Sequence, residues 1–206
     1  MPSAPNIKTF TGGLAETNAY FLEGRDGWLA VDAPEGSADA LDDWKLKVTQ
    51  LVLTHGHWDH IWDAAEIAKR HNCPVYYHKA DEPLCTQPGI MRNYGLPIDL
   101  PPVHAAKFLD QDDVFPFDPW KFKILHIPGH CLGSICLYEE GAEFVFGGDV
   151  LFAGGVGRWD LPGGSEQLLL NGIRNKLLSL PDKTVIHPGH GPSTTIGREK
   201  KHNPYL

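Results

Sequence analysis

The sequence predicts an α/β fold of many short strands and a few helices, and three observations carry that prediction. Apolar runs rich in Val, Ile and Phe recur along the chain. Two stretches carry apolar residues at helical spacing. Tight turns come from 22 glycines and 17 prolines among 206 residues, a share below the roughly 25–30% that marks a disordered chain. A chain of this length is expected to form one domain, 1–206. Folding would bury about 70% of the unfolded surface, which needs neither disulfides nor a structural metal. Any metal is then there for chemistry.

In chain order, strands are expected at Ala19–Leu22, Trp28–Val31, Leu51–Leu53, Phe122–Ile127, Ile135–Tyr138 and Phe144–Phe146. The first helix is expected over Ile61–His71, where Ile61, Ala64, Ala65 and Ala68 share one side. From Thr86 to Val103, Pro88, Pro97, Pro101 and Pro102 break any period, so this segment reads as an ordered loop or lid. The second helix is expected over Ser165–Leu180. Ser165 and Glu166 start it, and Leu168, Leu169, Gly172, Ile173, Lys176 and Leu177 form its inner side. Ile127-Pro128-Gly129-His130 is echoed by His187-Pro188-Gly189-His190, as though two related halves met at one edge.

Charge narrows the function classes. Acids outnumber bases 26 to 18, a net charge of −8, which opposes nucleic acid or an anionic membrane as partner. No stretch approaches the roughly 20 apolar residues of a membrane span, and the start, MPSAPNIKTF, lacks a basic and then apolar leader. The expectation is a cytoplasmic protein acting on a small molecule. Cys73, Cys85, Cys131 and Cys136 have no CxxC spacing and are expected to be buried packing residues.

The segment that carries chemistry is Leu51 to Asp63, LVLTHGHWDHIWD, where His55, His57, Asp59 and His60 follow a strand-like run. Alternate residues of extended chain project to one side, so His55 and His57 can grip one metal. Asp59 and His60, where the chain turns into a helix, can face a second. Further donors stand at His130 after KFKILHIPG, Asp149 after EFVFGG and His190 after TVIHPG. Each follows an apolar run and a Gly or Pro-Gly turn, so several strands deliver donors to one rim.

With these residues the sequence resembles the metallo-β-lactamase superfamily, and within it the short hydroxyacylglutathione-hydrolase-like (glyoxalase II-like) group. The matching stretches are THGHWDH, IPGHCLGS, GGDVLF, VGRWDLPGG, HPGHGPST and the tail TTIGREKKHNPYL. The resemblance implies an αββα sandwich with metals at one edge of two sheets. It assigns His55, His57 and His130 to a first metal, Asp59, His60 and His190 to a second, and Asp149 to a bridge between them. It implies two divalent ions, zinc first with iron or manganese as alternatives. The implied activity is cleavage of a thioester, hydroxyacylglutathione-like, by a metal-bridging hydroxide, with Asp59 orienting that hydroxide. Ions of this kind lower the pKa of bound water to about 7, so no serine or cysteine nucleophile is required.

Arg158, in VGRWDLPGG, falls where relatives place a basic substrate-facing residue and is a candidate clamp for a substrate carboxylate. Trp58, Trp62, Tyr94, Trp159 and Met91 are candidates for a pocket wall or for plain core. One competing function is a persulfide-dioxygenase-like oxidoreductase holding a single iron by His55, His130 and Asp149. Another is lactone or ester hydrolysis.

Overall fold

Two six-stranded mixed sheets organise the computed structural model, which describes residues 4–87 and 89–206. Pro88 of the expected lid and the first three residues lie outside the described residues. The first sheet runs in the order β1 (Ile7–Gly12), β2 (Thr17–Glu23), β3 (Trp28–Val31), β4 (Val48–Val52), β5 (Val75–Tyr77) and β6 (Lys107–Phe108). Its first three strands pair antiparallel and the rest parallel. In the second sheet β7 (Val114–Phe117), β8 (Trp120–His126), β9 (Ile135–Glu139) and β10 (Phe144–Gly148) are antiparallel neighbours. A small ribbon of β11 (Leu151–Phe152) and β12 (Gly155–Val156) follows. Then β13 (Val185–Pro188) pairs parallel to β10, with β14 (Thr194–Thr195) outside it.

Side-chain alternation along these strands sets the layers. Tyr20 and Leu22 of β2 face Phe122, Ile124, Leu137, Phe144 and Phe146 of the second sheet in a core between the sheets. Their neighbours Ala19 and Phe21 point the other way, onto Leu41 of α1 (Ser37–Asp43) and Ile67 of α3 (Ala64–His71), beyond the short α2 (Trp58–Ile61). A further short helix, α4 (Glu82–Thr86), adds Leu84 and Cys85 to that layer. On the far side, Cys136, Tyr138 and Val145 pack on Leu169 of α5 (Glu166–Gly172) and Ile196 of α6 (Ile196–His202). Both faces of each sheet are covered, which is why the strands read as continuous apolar runs. The result is an αββα sandwich. Among the described residues no helix is long and apolar enough to cross a membrane.

Both helices expected from the sequence differ in outline from the observed ones. The helix expected over Ile61–His71 begins earlier, at Trp58, stops at Ile61 and restarts at Ala64. Ala33, just past β3, causes the break: its N–H donates to His60 O at 2.8 Å and its carbonyl accepts from Asp63 N–H at 2.8 Å. The Asp63 carboxylate then accepts from Ala38 N–H at 2.9 Å, stitching this corner to α1. In the second helix, Ser165 caps the start by accepting from Leu168 N–H at 3.3 Å, but the chain passes into a wider π-type turn over Ile173–Leu177. The buried stripe is Leu169, Ile173 and Leu177, spaced by four, and it rotates Leu168 out to 49% exposure. The proline-rich segment is ordered, with a 3₁₀ turn over Ile90–Tyr94 that buries Met91.

Candidate metal centre

Four segments bring the candidate donors to one edge of the sandwich. After β4 a loop that bends at Thr54 carries His55 and then His57, which is extended, and α2 then presents Asp59 and His60. His130 follows β8 through Gly129, whose φ of +133° and close approach to Ser165 and Leu169 of the α5 start leave no room for a Cβ. Asp149 and His190 follow the adjacent parallel strands β10 and β13. Between them Gly189 is required for space, since a Cβ there would run into Asp149 Oδ1 and the His60 ring.

The donor atoms form three overlapping groups, His55/His57/His130, His55/His60/Asp149 and Asp59/His60/His190. In the first, His130 Nε2 lies 2.9 Å from His57 Nδ1 and 3.2 Å from His55 Nε2. In the others, His60 Nε2 is 3.5 Å from Asp59 Oδ2 and 3.3 Å from Asp149 Oδ1. His190 Nε2 lies 3.3 Å from both Asp59 Oδ2 and Asp149 Oδ2, and the latter oxygen is 3.5 Å from His130 Nε2. The structure thus brings all seven candidates together.

Four of the rings are aimed by a hydrogen bond from the opposite nitrogen. His130 Nδ1–H donates to Arg158 O at 2.8 Å, and His190 Nδ1–H to Ala15 O at 3.1 Å. His60 Nδ1–H donates to Asp32 Oδ2 at 2.8 Å. Thr54 Oγ1 donates to the same Asp32 carboxylate and accepts from His55 Nδ1–H. Each ring therefore turns a lone pair inward, toward other lone pairs and carboxylate oxygens. Sequence reasoning missed Asp32, although it shares the signal used for Asp149, an acid directly after an apolar strand.

Asp81 was missed as well. Its buried carboxylate accepts from Gly56 N–H at 2.8 Å, between His55 and His57. It also accepts from Gly133 N–H at 2.6 Å and from Cys131 Sγ at 3.1 Å, just after His130. One carboxylate thus ties two donor loops together.

Electrostatics test whether these residues fit a metal. His60 Nε2 and Asp149 Oδ1 are buried without a hydrogen-bond partner. Burial, reinforced by neighbouring rings, pushes His55 well below the usual imidazole range and His57 down to about 3. At His60 burial acts the same way, but Asp149, Asp59 and Asp32 outweigh it and raise the ring well above that range. Burial is outweighed at His190 too, by hydrogen bonds to Asp149 and Asp59 that raise it to about 10. Positive charge is therefore favoured at His60 and His190, which face Asp59 and Asp149, and disfavoured at the buried His55 and His57 rings beside them. Carboxylates converging on lone pairs with unpartnered buried atoms fit divalent cations.

The centre forms the floor of a cavity of about 410 Å³, walled by Trp58, Met91, Tyr94, Leu96 and Leu161, with Arg158 also lining it. Trp62 stacks edge-on against Trp58, while Trp159 packs on Tyr205 instead. The Arg158 guanidinium is engaged by Asp160 through two hydrogen bonds of 2.7 and 2.8 Å. A separate group, His78, Asp110 and His126, lies away from the cavity. Its two rings stack at 3.9 Å and 16°, so one ion cannot lie in the plane of both.

All four cysteines are free and buried. Burial raises Cys73 to about 11 and Cys136 to about 12, and raises Cys85 and Cys131 as well, the latter beside the Asp81 carboxylate. We expect no rapid reaction of the native protein with a disulfide reagent at pH 8, and four reactive thiols once it is unfolded. A native thiol titrating within seconds would contradict this packing role.

The sequence profile of the metallo-beta-lactamase superfamily matches residues 12–190. The hydroxyacylglutathione hydrolase GloC of Haemophilus influenzae is 36% identical over 207 residues, covering 98% of each chain. Among solved structures, BLEG-1 B3 metallo-beta-lactamase superposes with a TM-score of 0.89 at 37% identity, over 98% of this chain and 99% of that one. TTHA1623 in a di-iron-bound form gives 0.86 at 36% identity, over 97% and 100%.

Proposed function

Given that the chain belongs to the metallo-beta-lactamase superfamily, we propose that it is a dinuclear metallohydrolase whose substrate is a thioester. The observation that carries this reading is the convergence of seven donors, in three overlapping groups, on the floor of one cavity. His55, His57 and His130 would hold one ion and Asp59, His60 and His190 the other, with Asp149 placed to serve both because it approaches His130 of the first set and His60 and His190 of the second. Zinc suits this imidazole and carboxylate set, and iron is the alternative. Two such ions supply a hydroxide near neutral pH and a Lewis acid for the carbonyl oxygen.

The chain's own residues do the rest. Thr17 Oγ1 donates to Asp59 Oδ2 at 2.7 Å and fixes that carboxylate. Burial works against ionisation of Asp59, but His60, His190 and Thr17 outweigh it and hold the carboxyl at about 2. Asp59 is thus an anion at working pH, able to orient the attacking water and accept its hydrogen bond. The wall of Trp58, Met91 and Tyr94 keeps bulk water from the acyl carbon. A thiolate is a good leaving group, so no strong acid has to stand opposite.

GloC makes a hydroxyacylglutathione the first thioester to try. The purified protein should carry about two divalent ions per chain and release thiol from S-lactoylglutathione. It should take up no oxygen with glutathione persulfide. Iron-dependent oxygen uptake without thioester cleavage would replace this reading by a dioxygenase. Turnover of a lactone but not of any thioester would replace it by ester hydrolysis.

A further inference from the structure

Above the metal ligands the cavity has a charge pattern that speaks to its substrate. A molecule reaching the floor passes between Trp58, Met91, Tyr94, Leu96 and Leu161, in a volume of about 410 Å³, a size that encloses a small organic molecule. The Tyr94 ring stands edge-on to His57 with centroids 5.7 Å apart, and its hydroxyl donates to Pro162 O at 3.3 Å. The Ile90–Tyr94 turn is therefore tied across the mouth to the loop that carries Leu161.

Among the described residues, Arg158 is the one Lys or Arg side chain lining this cavity. Its guanidinium is taken up by Asp160, Nε to Oδ1 at 2.7 Å and the second nitrogen to Oδ2 at 2.8 Å. That is the planar two-point geometry an incoming carboxylate would need. Asp160 takes two of the five guanidinium N–H donors and neutralises the charge, so a substrate carboxylate would meet the remaining donors of a net-neutral pair or would have to expel a carboxylate already tethered two residues away. The exchange replaces one ion pair by another, loses the advantage of the short tether, and leaves the freed Asp160 anion beside the new one. The positive charge of the cavity is thus neutralised within the chain.

Building on the hydrolase reading above, we propose that the Arg158–Asp160 pair is a specificity device that makes the cavity select thioesters with uncharged, apolar groups over thioesters bearing carboxylates. Affinity then comes from the aromatic and aliphatic wall. A glutathione thioester would be turned over without any clamp on its peptide carboxylates.

The test uses the metal-loaded protein and two thioesters with one acyl group, S-hexanoyl-N-acetylcysteamine, which is uncharged, and S-hexanoylglutathione. The wild type should favour the first in kcat/KM. Asp160→Asn, which frees the guanidinium, should raise the ratio of glutathione to uncharged substrate by about tenfold, whereas Arg158→Ala should move it by less than about twofold. Both residues are largely exposed, so folding is not at issue. An unchanged ratio in Asp160→Asn, or a rise in KM for the glutathione thioester alone in Arg158→Ala, would overturn the proposal. Calorimetric binding of the matching S-hexyl thioethers gives the same comparison without turnover. Absence of hydrolysis would therefore refute the hydrolase reading, and the ratio of Kd values would still decide this one.

Discussion

Asp149→Asn is expected to lower turnover by more than about a hundredfold while the sandwich stays folded. The carboxylate sits at the end of β10 with Oδ1 3.3 Å from His60 Nε2 and Oδ2 3.3 Å from His190 Nε2 and 3.5 Å from His130 Nε2. It lies between the two sets of donors, with Oδ2 facing both His130 and His190 and Oδ1 facing His60. Burial disfavours its charge, yet His60, His190 and His130 hold it well below the usual carboxylate range. An amide of the same shape has one acceptor oxygen and points an N–H₂ at ring lone pairs, so it cannot serve both sides. Metal analysis, circular dichroism and kcat on the same preparation check this. Two retained ions with near wild-type turnover would remove Asp149 from the bridge.

Asp81→Ala should cost about 2–6 kcal/mol of stability, since two buried backbone N–H groups lose their acceptor at about 1–3 kcal/mol each. Gly56 and Gly133 are those donors, and each stands in a loop that carries candidate ligands. The space left is polar and enclosed, so neighbouring apolar groups cannot close it at low cost. The urea midpoint of the metal-free protein reads the effect directly. A shift no larger than that of an exposed substitution would mean the two loops hold their shape without this tie.

The seven candidate donors were legible in the sequence because residue type, local spacing and a turn after each strand single them out without knowing the fold. The layering was not. Val145 between Phe144 and Phe146 reads as one apolar run, and only the packing shows that it faces α5 and α6 while they face the other sheet. The interruption at Trp62 and Asp63 was hidden for a related reason, since it is imposed by Ala33, a residue 27 or more positions away that acts on it through a pair of backbone bonds. Asp32 carried the same local signal as Asp149, an acid directly after an apolar strand, whereas Asp81 acts through loops distant in sequence and nothing local distinguishes it from a surface acid. The Arg158–Asp160 pair was visible as letters two apart, but that the fork is closed on itself is a matter of rotamers.

The donors come from segments at residues 55–60, 130, 149 and 190, on strands of both sheets, so no group of three or four exists until the sheets have docked. Contacts of such sequence separation form late on a folding path. Cations held there would bind a species that appears only after the main barrier, and would leave the folding rate alone while slowing escape from the native state. Loading this centre should therefore act as a latch on lifetime.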